Sequence, residues 1–270
     1  MYHDVVAGDP AASGFQGAGP NHYKVPVHHF QKHLDEIEAR GLEPSLVGEH
    51  GDELRLMLTF DDGGRSAATE TAPILERRGW RGHFFVATDW MGTARFLERE
   101  EVLALHEAGH VVGSHACTHR PLTGLSDDEV LREWSESKAV LEDLLGSEVS
   151  VASVPTGRYS VRVGKLAVQA GYDHVFTCEP WLEPRRLGSA LVYGRFSVYT
   201  KTSPARIGAL CSLSRPILWW TGGGWYARKA AKGLLGSRYD PLRKRILSRY
   251  GAWLLVDPAE FQAAVAALLV

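Results

Sequence analysis

The chain has 270 residues, of which 44% are hydrophobic and 23% charged, and this composition excludes a disordered or low-complexity protein. The net charge is only −2, and no apolar run approaches the roughly 18 residues that a membrane-spanning helix needs. No basic and apolar leader is visible at the start, and three cysteines without a CxxC pair favour a reducing compartment. We therefore expect a cytoplasmic protein.

Short β-rich runs alternate along the chain with amphipathic helical stretches. The predicted strands are residues 54–60, 83–87, 110–114, 149–153, 174–177 and 191–199. The predicted helices are residues 66–78, 98–108, 126–145 and 160–170. Pro73 is expected to start a fresh turn or to kink the first helix, and Ser126 with Glu129 forms a capping box at the start of the third. This alternation predicts βαβ units and a parallel sheet, either open or closed into a barrel.

The two ends of the chain differ from this series. Residues 5–22 are rich in small and polar residues and are predicted to be a loop, whereas residues 201–270 are predicted to be mainly helical. Residues 215–249 carry nine Lys or Arg against one acidic residue, together with three tryptophans. No nucleic-acid-binding signature accompanies this basic segment. It suits either a solvated helix pair or contact with the inner face of an anionic membrane.

Ligands of parallel α/β sheets bind at the carboxyl ends of the strands, so reactive residues should follow strands. Three His-x3-His pairs occur: His29 with His33, His106 with His110, and His115 with His119. The first two lie in or next to stretches interpreted as helical, and they have no neighbouring glutamate of the zincin type. The third directly follows the strand at 110–114, so it is the candidate for a metal site. Cys117, between its histidines, is interpreted as a packing residue.

Asp61 and Asp62 satisfy the same criterion, because they follow the strand at 54–60 directly. Two adjacent buried carboxylates are costly unless a cation or a proton compensates them. Successive side chains leaving a strand diverge, so one carboxylate can ligate a metal while its neighbour faces a substrate. Two imidazoles and one carboxylate form a ligand set that leaves positions open on Zn²⁺ or a related ion, as hydrolytic sites require.

These motifs resemble those of a known family. Thr59–Gly63 (TFDDG), Ser114–His119 (SHACTH) and Val154–Gly157 (VPTG) are similar to the successive motifs of the polysaccharide deacetylases, the NodB homology domain or carbohydrate esterase family 4. The resemblance covers roughly residues 1–200. It implies a distorted, incomplete (β/α) barrel over these residues, with residues 201–270 as a helical C-terminal extension.

The resemblance also implies roles for individual residues. Asp61 corresponds to the catalytic base, and Asp62, His115 and His119 correspond to the ligands of one divalent metal ion. Zinc is the first expectation for this ion, with Co²⁺, Ni²⁺ and Mn²⁺ as alternatives. The turn of Pro155, Thr156 and Gly157 corresponds to the substrate loop, in which the Thr156 N–H would stabilise the oxyanion.

The chain departs from the family pattern at two places. Ser153 stands where the third motif has an arginine that orients the base, so Arg65 and Arg158 are the candidates to replace it. The late family motifs are absent, since no histidine follows Tyr199. The opening residues, Tyr2 to Asp4, resemble those of circularly permuted members, in which the first strand supplies the general acid. This resemblance implies that His3 is the acid, whereas a frayed terminus is the alternative.

The expected function is metal-assisted hydrolysis of N-acetyl, or O-acetyl, groups on a saccharide that is polymeric, lipid-linked or nucleotide-linked. A catalytically silent domain that binds glycans or a partner is one alternative, which Ser153 and the missing late motifs favour. An amidase acting on a non-sugar carbon–nitrogen bond is another, since related barrels cleave such bonds.

Overall fold

The structure, a computed structural model, describes residues 1–49, 56–215, 217, 218, 221–223 and 225. The chain divides into two compact units, Met1–Lys201 and Thr202–Val270. Most of the predicted C-terminal extension, including nearly all of the basic segment 215–249, lies outside the described residues, so its helices and its membrane contact stay predictions. Among the described residues, no helix combines the length and the apolar character that crossing a bilayer requires.

One sheet organises the first unit. The strands are β1 (Val5–Val6), β2 (Val25–Pro26), β3 (Thr59–Phe60), β4 (His83–Val86), β5 (Val111–Ser114), β6 (Val151–Ser153), β7 (His174–Phe176), β8 (Arg185–Leu187) and β9 (Ala190–Tyr193). Seven of them pair in the order β3-β4-β5-β6-β7-β9-β8, and β1 pairs separately with β2. Neighbours in the larger sheet are parallel except β8 and β9. This sheet curls into a half-barrel surrounded by helices, which confirms the predicted fold.

The helices follow the predicted alternation. They are α1 (Ala18–Asn21), α2 (Val27–Glu38), α3 (Ala72–Glu76), α4 (Arg99–Glu107), α5 (Asp127–Leu145), α6 (Val161–Gln169) and α7 (Pro204–Cys211). Capping boxes begin α4 at Glu98 and α5 at Ser126. Residues 67–71 form a π-helical turn directly before α3. Pro73 has no N–H for a bond within the helix, which explains why the regular ladder is interrupted here.

The N-terminal segment lies beside the first strand of the large sheet. Tyr2 forms a parallel bridge with Phe60, the Tyr2 N–H donates to the Thr59 carbonyl at 2.8 Å, and the Asp61 N–H donates to the Tyr2 carbonyl at 3.0 Å. On the other side, the Val198 N–H donates to the Met1 carbonyl at 2.9 Å. The N-terminal segment therefore lies beside the strand that Asp61 follows.

Aromatic side chains fill the interior of the half-barrel. Phe85, Phe176 and Tyr193 pack together, with ring centroids 5.3 Å apart for the first two and 4.8 Å apart for the last two. Burying each such side chain stabilises the fold by about 1.5–3 kcal/mol. The core fixes the ends of β4, β7 and β9, and these ends carry the loops of the site described next.

Several predicted elements differ from the observed ones. The strand predicted at 54–60 is a strand only at Thr59–Phe60 among the described residues. The predicted strand 191–199 ends at Tyr193, so Gly194 and the residues after it lie outside the sheet. Residues 5–22, predicted as a loop, contain β1, a 3₁₀ turn at Pro10–Ala12 and α1. β8 has no counterpart among the predicted strands, because its residues Arg185–Leu187 are polar and mostly exposed.

Candidate metal and catalytic site

Four loops meet at the carboxyl edge of the sheet. Asp61 and Asp62 follow β3, the segment 115–119 follows β5, the turn 155–157 follows β6, and Arg195 follows β9 by two residues. Because these strands are parallel, their carboxyl ends lie on the same edge. The predicted motifs, which were chosen because they follow strands, therefore lie together at this edge.

Asp62, His115 and His119 form a cluster with the donor set of a metal site. Their nearest ligand atoms all lie within 4.8 Å of one another. Asp62 Oδ1 is 3.4 Å from His115 Nε2 and 3.1 Å from His119 Nε2. This oxygen is buried and has no hydrogen bond among the described residues. A buried carboxylate oxygen facing two imidazole nitrogens is compensated by a cation, so the residues fit a divalent ion.

Contacts with residues outside the cluster orient the two imidazoles toward Asp62. His115 Nδ1 lies 2.9 Å from the Ser153 carbonyl oxygen, which assigns the proton to Nδ1 and leaves the Nε2 lone pair facing Asp62. The His119 ring stacks on Phe15 with centroids 4.6 Å apart. Burial raises the pKa of the Asp62 carboxyl, but the imidazoles of His3, His115 and His119 outweigh burial and hold it well below its usual range.

The backbone of these loops is strained. Six non-glycine residues in the described part of the chain have positive φ, and four of them lie in the site loops: Asp62, Ala116, His119 and Thr156. Such conformations cost about 1–3 kcal/mol each and persist where surrounding contacts enforce them. Their concentration here is independent support for a functional site.

Glu133 holds the loop that carries both histidines. Its buried carboxylate extends from α5 and accepts bonds from the Cys117 N–H at 3.0 Å and the Thr118 N–H at 2.9 Å. The Thr118 hydroxyl and the Arg120 guanidinium also donate to it. These bonds explain how residues 116–118 keep a conformation that places His115 and His119 on the same side.

Asp61 has a different environment from Asp62. The Arg195 guanidinium donates to both of its carboxylate oxygens, Nη1 to Oδ1 at 2.7 Å and Nη2 to Oδ2 at 2.8 Å. Both side chains are buried, and such a bidentate pair fixes the plane of the carboxylate. Burial raises the pKa of Asp61, but Arg195 and then His115 outweigh burial and lower it. Asp61 is therefore held ionised as an acceptor.

Arg195 is the residue that sequence reasoning missed. The Ser153 hydroxyl donates to Asp61 Oδ2 at 3.3 Å and accepts from Arg195 Nη2 at 2.7 Å, so the small Ser153 leaves room for the guanidinium. The two candidates named from sequence do not fill this role. Arg65 pairs with Glu101 at 3.1 Å, and Arg158 lies directly after the 155–157 turn. The orienting cation comes from the end of β9.

His3 lies close enough to the two aspartates for their charges to affect its pKa. Its Nδ1 is buried without a hydrogen bond among the described residues, and its ring centroid is 4.6 Å from that of Tyr23. Burial lowers the pKa of His3, whereas the nearby carboxylates of Asp62 and Asp61 raise it. This placement near Asp61 and Asp62 is compatible with the predicted role of His3, which stays a prediction.

The third motif forms a turn over the same edge. Pro155 is buried, Thr156 is exposed with φ of 59°, and Gly157 has φ of 65°. A Cβ at position 157 would approach Cys178 Cβ to 3.2 Å, so glycine suits both the backbone and the space. The strained turn presents the Thr156 backbone to solvent at the rim of the site.

The other candidate side chains have structural partners. Tyr2 Oη lies 3.3 Å from His33 Nδ1, and His110 accepts from the Gly82 N–H at 3.1 Å. Burial raises the pKa of the Cys117 thiol to about 11, and the thiol donates to the Glu133 carbonyl. This agrees with its interpretation as a packing residue.

Comparisons with known proteins agree with this geometry. Residues 49–175 match the family model described as polysaccharide deacetylase. The chain is 25% identical to YxkH of Bacillus subtilis (strain 168) over 197 residues, which cover 70% of this chain and 66% of that protein. It is 29% identical to chitin deacetylase 1 of Cryptococcus neoformans over 119 residues, which cover 44% of this chain and 24% of that protein. The chain thus spans less than two thirds of the length of these curated relatives.

A solved structure shows the same fold. The Streptococcus pyogenes deacetylase PplD superposes with a TM-score of 0.62 at 21% identity, covering 76% of this chain and 93% of that one. At this identity the likeness concerns the fold, and the chemistry must be argued from the residues of this chain.

Proposed function

Since residues 49–175 match the polysaccharide deacetylase family model, we propose that the protein is a metal-dependent hydrolase that removes N-acetyl, or O-acetyl, groups from a saccharide. The observation that carries the proposal is that two adjacent carboxylates have different partners. Asp62 faces His115 and His119, while Asp61 is held ionised by Arg195 at 2.7 Å. One group can hold a cation while its neighbour accepts a proton.

Asp62, His115 and His119 would hold the divalent ion, for which zinc is favoured by the mixed imidazole and carboxylate donors. When bound, such an ion supplies a Lewis acid that polarises the acetyl carbonyl and lowers the pKa of a water molecule. Three protein ligands leave room for substrate and water, as a hydrolytic site needs.

The remaining residues move or stabilise charge. Asp61 would accept the proton of the attacking water, and Arg195 keeps Asp61 ionised and oriented for this task. The Thr156 N–H would donate to the developing oxyanion. His3 would give a proton to the leaving nitrogen of the sugar, since an amide anion is too basic to depart without one.

The silent-domain alternative loses part of its support. It was favoured because Ser153 replaces an arginine, yet Arg195 supplies a guanidinium to the same carboxylate. Two of the relatives are named as a chitin deacetylase and a peptidoglycan-N-acetylmuramic acid deacetylase, which supports an acetylated polysaccharide as the substrate class. A cytoplasmic location and contact of residues 215–249 with the membrane remain part of the proposal.

Acetate release from a substrate panel tests this function. The panel contains N-acetylglucosamine oligomers, peptidoglycan fragments, an O-acetylated saccharide and simple non-sugar amides, each with and without a chelator. We expect acetate from at least one saccharide, loss of release with chelator and recovery with added Zn²⁺. Release from the non-sugar amides alone would favour the amidase, and no release from any compound would favour the silent domain.

A further inference from the structure

The two histidines of the metal cluster are supported unequally. His115 Nδ1 donates to the Ser153 carbonyl at 2.9 Å, and this bond fixes the orientation of its ring. His119 points Nε2 toward Asp62, 3.1 Å away, but its Nδ1 makes no hydrogen bond to any described residue. Metal-binding histidines almost always use their second ring nitrogen for such a bond. Within the described part of the chain, the contact that orients His119 is therefore of another kind.

That contact is the ring of Phe15. It stacks on the His119 ring with centroids 4.6 Å apart and an interplanar angle of 28°. Phe96 and Trp90 in turn meet the Phe15 ring edge to face, with centroids 4.9 Å and 4.8 Å from it. Rotation of the His119 ring would give up the stacking contact, so the stack favours the orientation that faces the cluster.

The loop that carries Phe15, residues 9–17, is mostly exposed, and it is called the Phe15 loop below. Only its Ser13 and Gly14 are buried, while Phe15 is half-buried. The Gly14 N–H donates to the Arg95 carbonyl at 2.9 Å. A loop with so few buried side chains opens easily, so its conformation depends on hydrogen bonds of this kind.

Lys24 supplies two further bonds to the Phe15 loop. It is only 2% exposed, and its Nζ donates to the carbonyls of Pro10 at 2.5 Å and Ser13 at 2.7 Å. Burial lowers the pKa of Lys24 and the Asp4 carboxylate raises it, so the buried cation has a compensating charge. Both bonds of Lys24 end on the main chain of the loop, whereas Asp4 holds the loop at the Ser13 hydroxyl. Removing the ammonium group therefore releases the main chain close to Phe15.

We propose that Phe15 and Lys24 are positioning residues for the metal ligand His119. Phe15 orients the imidazole by stacking on it, and Lys24 orients Phe15 by holding the Phe15 loop. Together they take the place of the hydrogen bond that orients His115. The inference rests on the metal site of the proposed function and adds to it two residues outside the three sequence motifs.

Zn²⁺ affinity tests this inference, measured without substrate by competition with a chromophoric chelator. Phe15→Leu should bind Zn²⁺ about tenfold more weakly, at the low end of what residues that orient metal ligands contribute. Phe15→Tyr keeps the ring and should retain the wild-type affinity. Lys24→Met should weaken binding by a similar factor to Phe15→Leu. Lys138→Met is the control, because Lys138 Nζ also donates to a carbonyl, that of Val149 at 2.6 Å, and its loss should leave the affinity unchanged.

The double variant Phe15→Leu/Lys24→Met shows whether Lys24 acts through Phe15. If it does, the double variant should bind Zn²⁺ as strongly as Phe15→Leu alone, because the two residues act in series. Independent effects would multiply to about a hundredfold loss and overturn this coupling. In metal-free protein, Lys24→Met should also speed hydrogen exchange at Gly14, and unchanged exchange would contradict the role of Lys24.

These measurements separate the inference from the proposed function. If Lys24→Met does not fold, the comparison of Phe15→Leu with Phe15→Tyr still decides the role of Phe15. Zn²⁺ binding that depends on Phe15, without acetate release from any saccharide, would support the inference and overturn the deacetylase proposal. Acetate release together with wild-type Zn²⁺ affinity in Phe15→Leu would overturn the inference alone.

Discussion

Asp61 and Asp62 are neighbours in the chain but have different partners. The positive φ of Asp62, 78°, turns its side chain away from the direction in which Asp61 points. Asp61 therefore meets the guanidinium of Arg195, and Asp62 meets the imidazoles of His115 and His119. This divergence allows two identical carboxylates to have separate roles.

Substituting each aspartate separately tests those roles. Asp61→Asn should retain the metal and lose most turnover, because an amide nitrogen cannot accept a proton from water. Asp62→Asn should lower metal content and activity together. Metal content by atomic absorption and acetate release on the same samples give the answer, and equal metal loss in both variants would contradict the assignment.

Removing Arg195 should change the pH dependence of the reaction. Arg195 lowers the pKa of Asp61 against burial, so Arg195→Met should raise that pKa. Activity needs ionised Asp61, hence the acidic limb of the kcat/KM profile should move to higher pH. Because the pKa of Asp61 is lower in the folded than in the unfolded protein, its ionisation stabilises the fold at pH values above the unfolded pKa, near 3.8. This contribution is lost as the pH falls through the folded pKa.

Stability measurements provide the control for this prediction. Breaking a buried pair costs about 3–5 kcal/mol, so urea unfolding at pH 7 should show Arg195→Met clearly destabilised. Arg65→Met breaks only the exposed pair with Glu101 and should cost about 0–1 kcal/mol. The prediction fails if Arg65→Met moves the acidic limb and Arg195→Met leaves it in place.

At the scale of elements, the strand-end criterion found every loop except the one that carries Arg195. The pattern of residues 191–199 suggested one continuous strand, which placed Arg195 within it and removed it from consideration. In the structure β9 ends at Tyr193, whose carbonyl accepts from the Thr177 N–H at 2.9 Å. Beyond it, Arg195 Nε donates to the Thr177 carbonyl at 2.9 Å. If the strand had been predicted to end at Tyr193, Arg195 would have been a candidate at a strand end.

Local signals predicted the helices better than they predicted tertiary contacts. Ser126 and Glu129 define the start of α5 in the sequence, and the structure contains this capping box. Glu133, one turn further, gives no comparable signal, because its partners lie in the distant loop after β5. Contacts between elements depend on how the sheet curls, and composition along one helix does not contain that information.

Glu133→Gln should weaken metal binding although the residue is not a ligand. The amide offers one acceptor oxygen where the carboxylate offers two, so the 116–118 loop loses part of its support. Residues that orient metal ligands typically contribute about 10–100-fold in affinity, and we expect about tenfold weaker Zn²⁺ binding in a competition with a chromophoric chelator.

The same helix provides a matched control. Glu142 accepts from the Val149 N–H at 3.0 Å and pairs with Lys138 at 2.9 Å, away from the cluster. Glu142→Gln should therefore lower thermal stability slightly and leave Zn²⁺ affinity unchanged. Equal loss of affinity in both variants would show that Glu133 acts only through general stability.

At the scale of the whole molecule, the N-terminal segment joins parts of the chain that are far apart in sequence. It contacts β3 through Tyr2 and residue 198 through Met1, and Asp4 accepts bonds from the Ser13 and Ser66 hydroxyls. Glycine at position 64 is required, because a Cβ there would collide with the Asp4 carboxylate. These contacts fix the backbone on both sides of His3.

His3→Ala should keep the metal and the fold while losing at least about tenfold in rate, the lower end of what a positioned acid contributes. Burial lowers the pKa of His3, against the neighbouring carboxylates, so the protonated form needed for donation is lost as pH rises. The alkaline limb of the kcat profile should therefore change in this variant. His28→Ala, at an exposed histidine on α2, is the control, and an unchanged profile in His3→Ala would assign His3 a structural role.

Asp4 tests whether the segment must be fixed for His3 to act. Burial raises the pKa of the Asp4 carboxyl against the Ser13 and Ser66 hydroxyls, so its ionised form costs folding free energy as pH rises above the unfolded value of 3.8. Asp4→Asn keeps an acceptor oxygen and removes that charge, so it should retain stability and activity at pH 7.

Asp4→Ala leaves both hydroxyls without their acceptor. It should increase hydrogen exchange at Tyr2 and His3 and reduce the rate of deacetylation while Zn²⁺ binding persists. If Asp4→Ala exchanges faster yet keeps its rate, the position of His3 does not depend on this anchor.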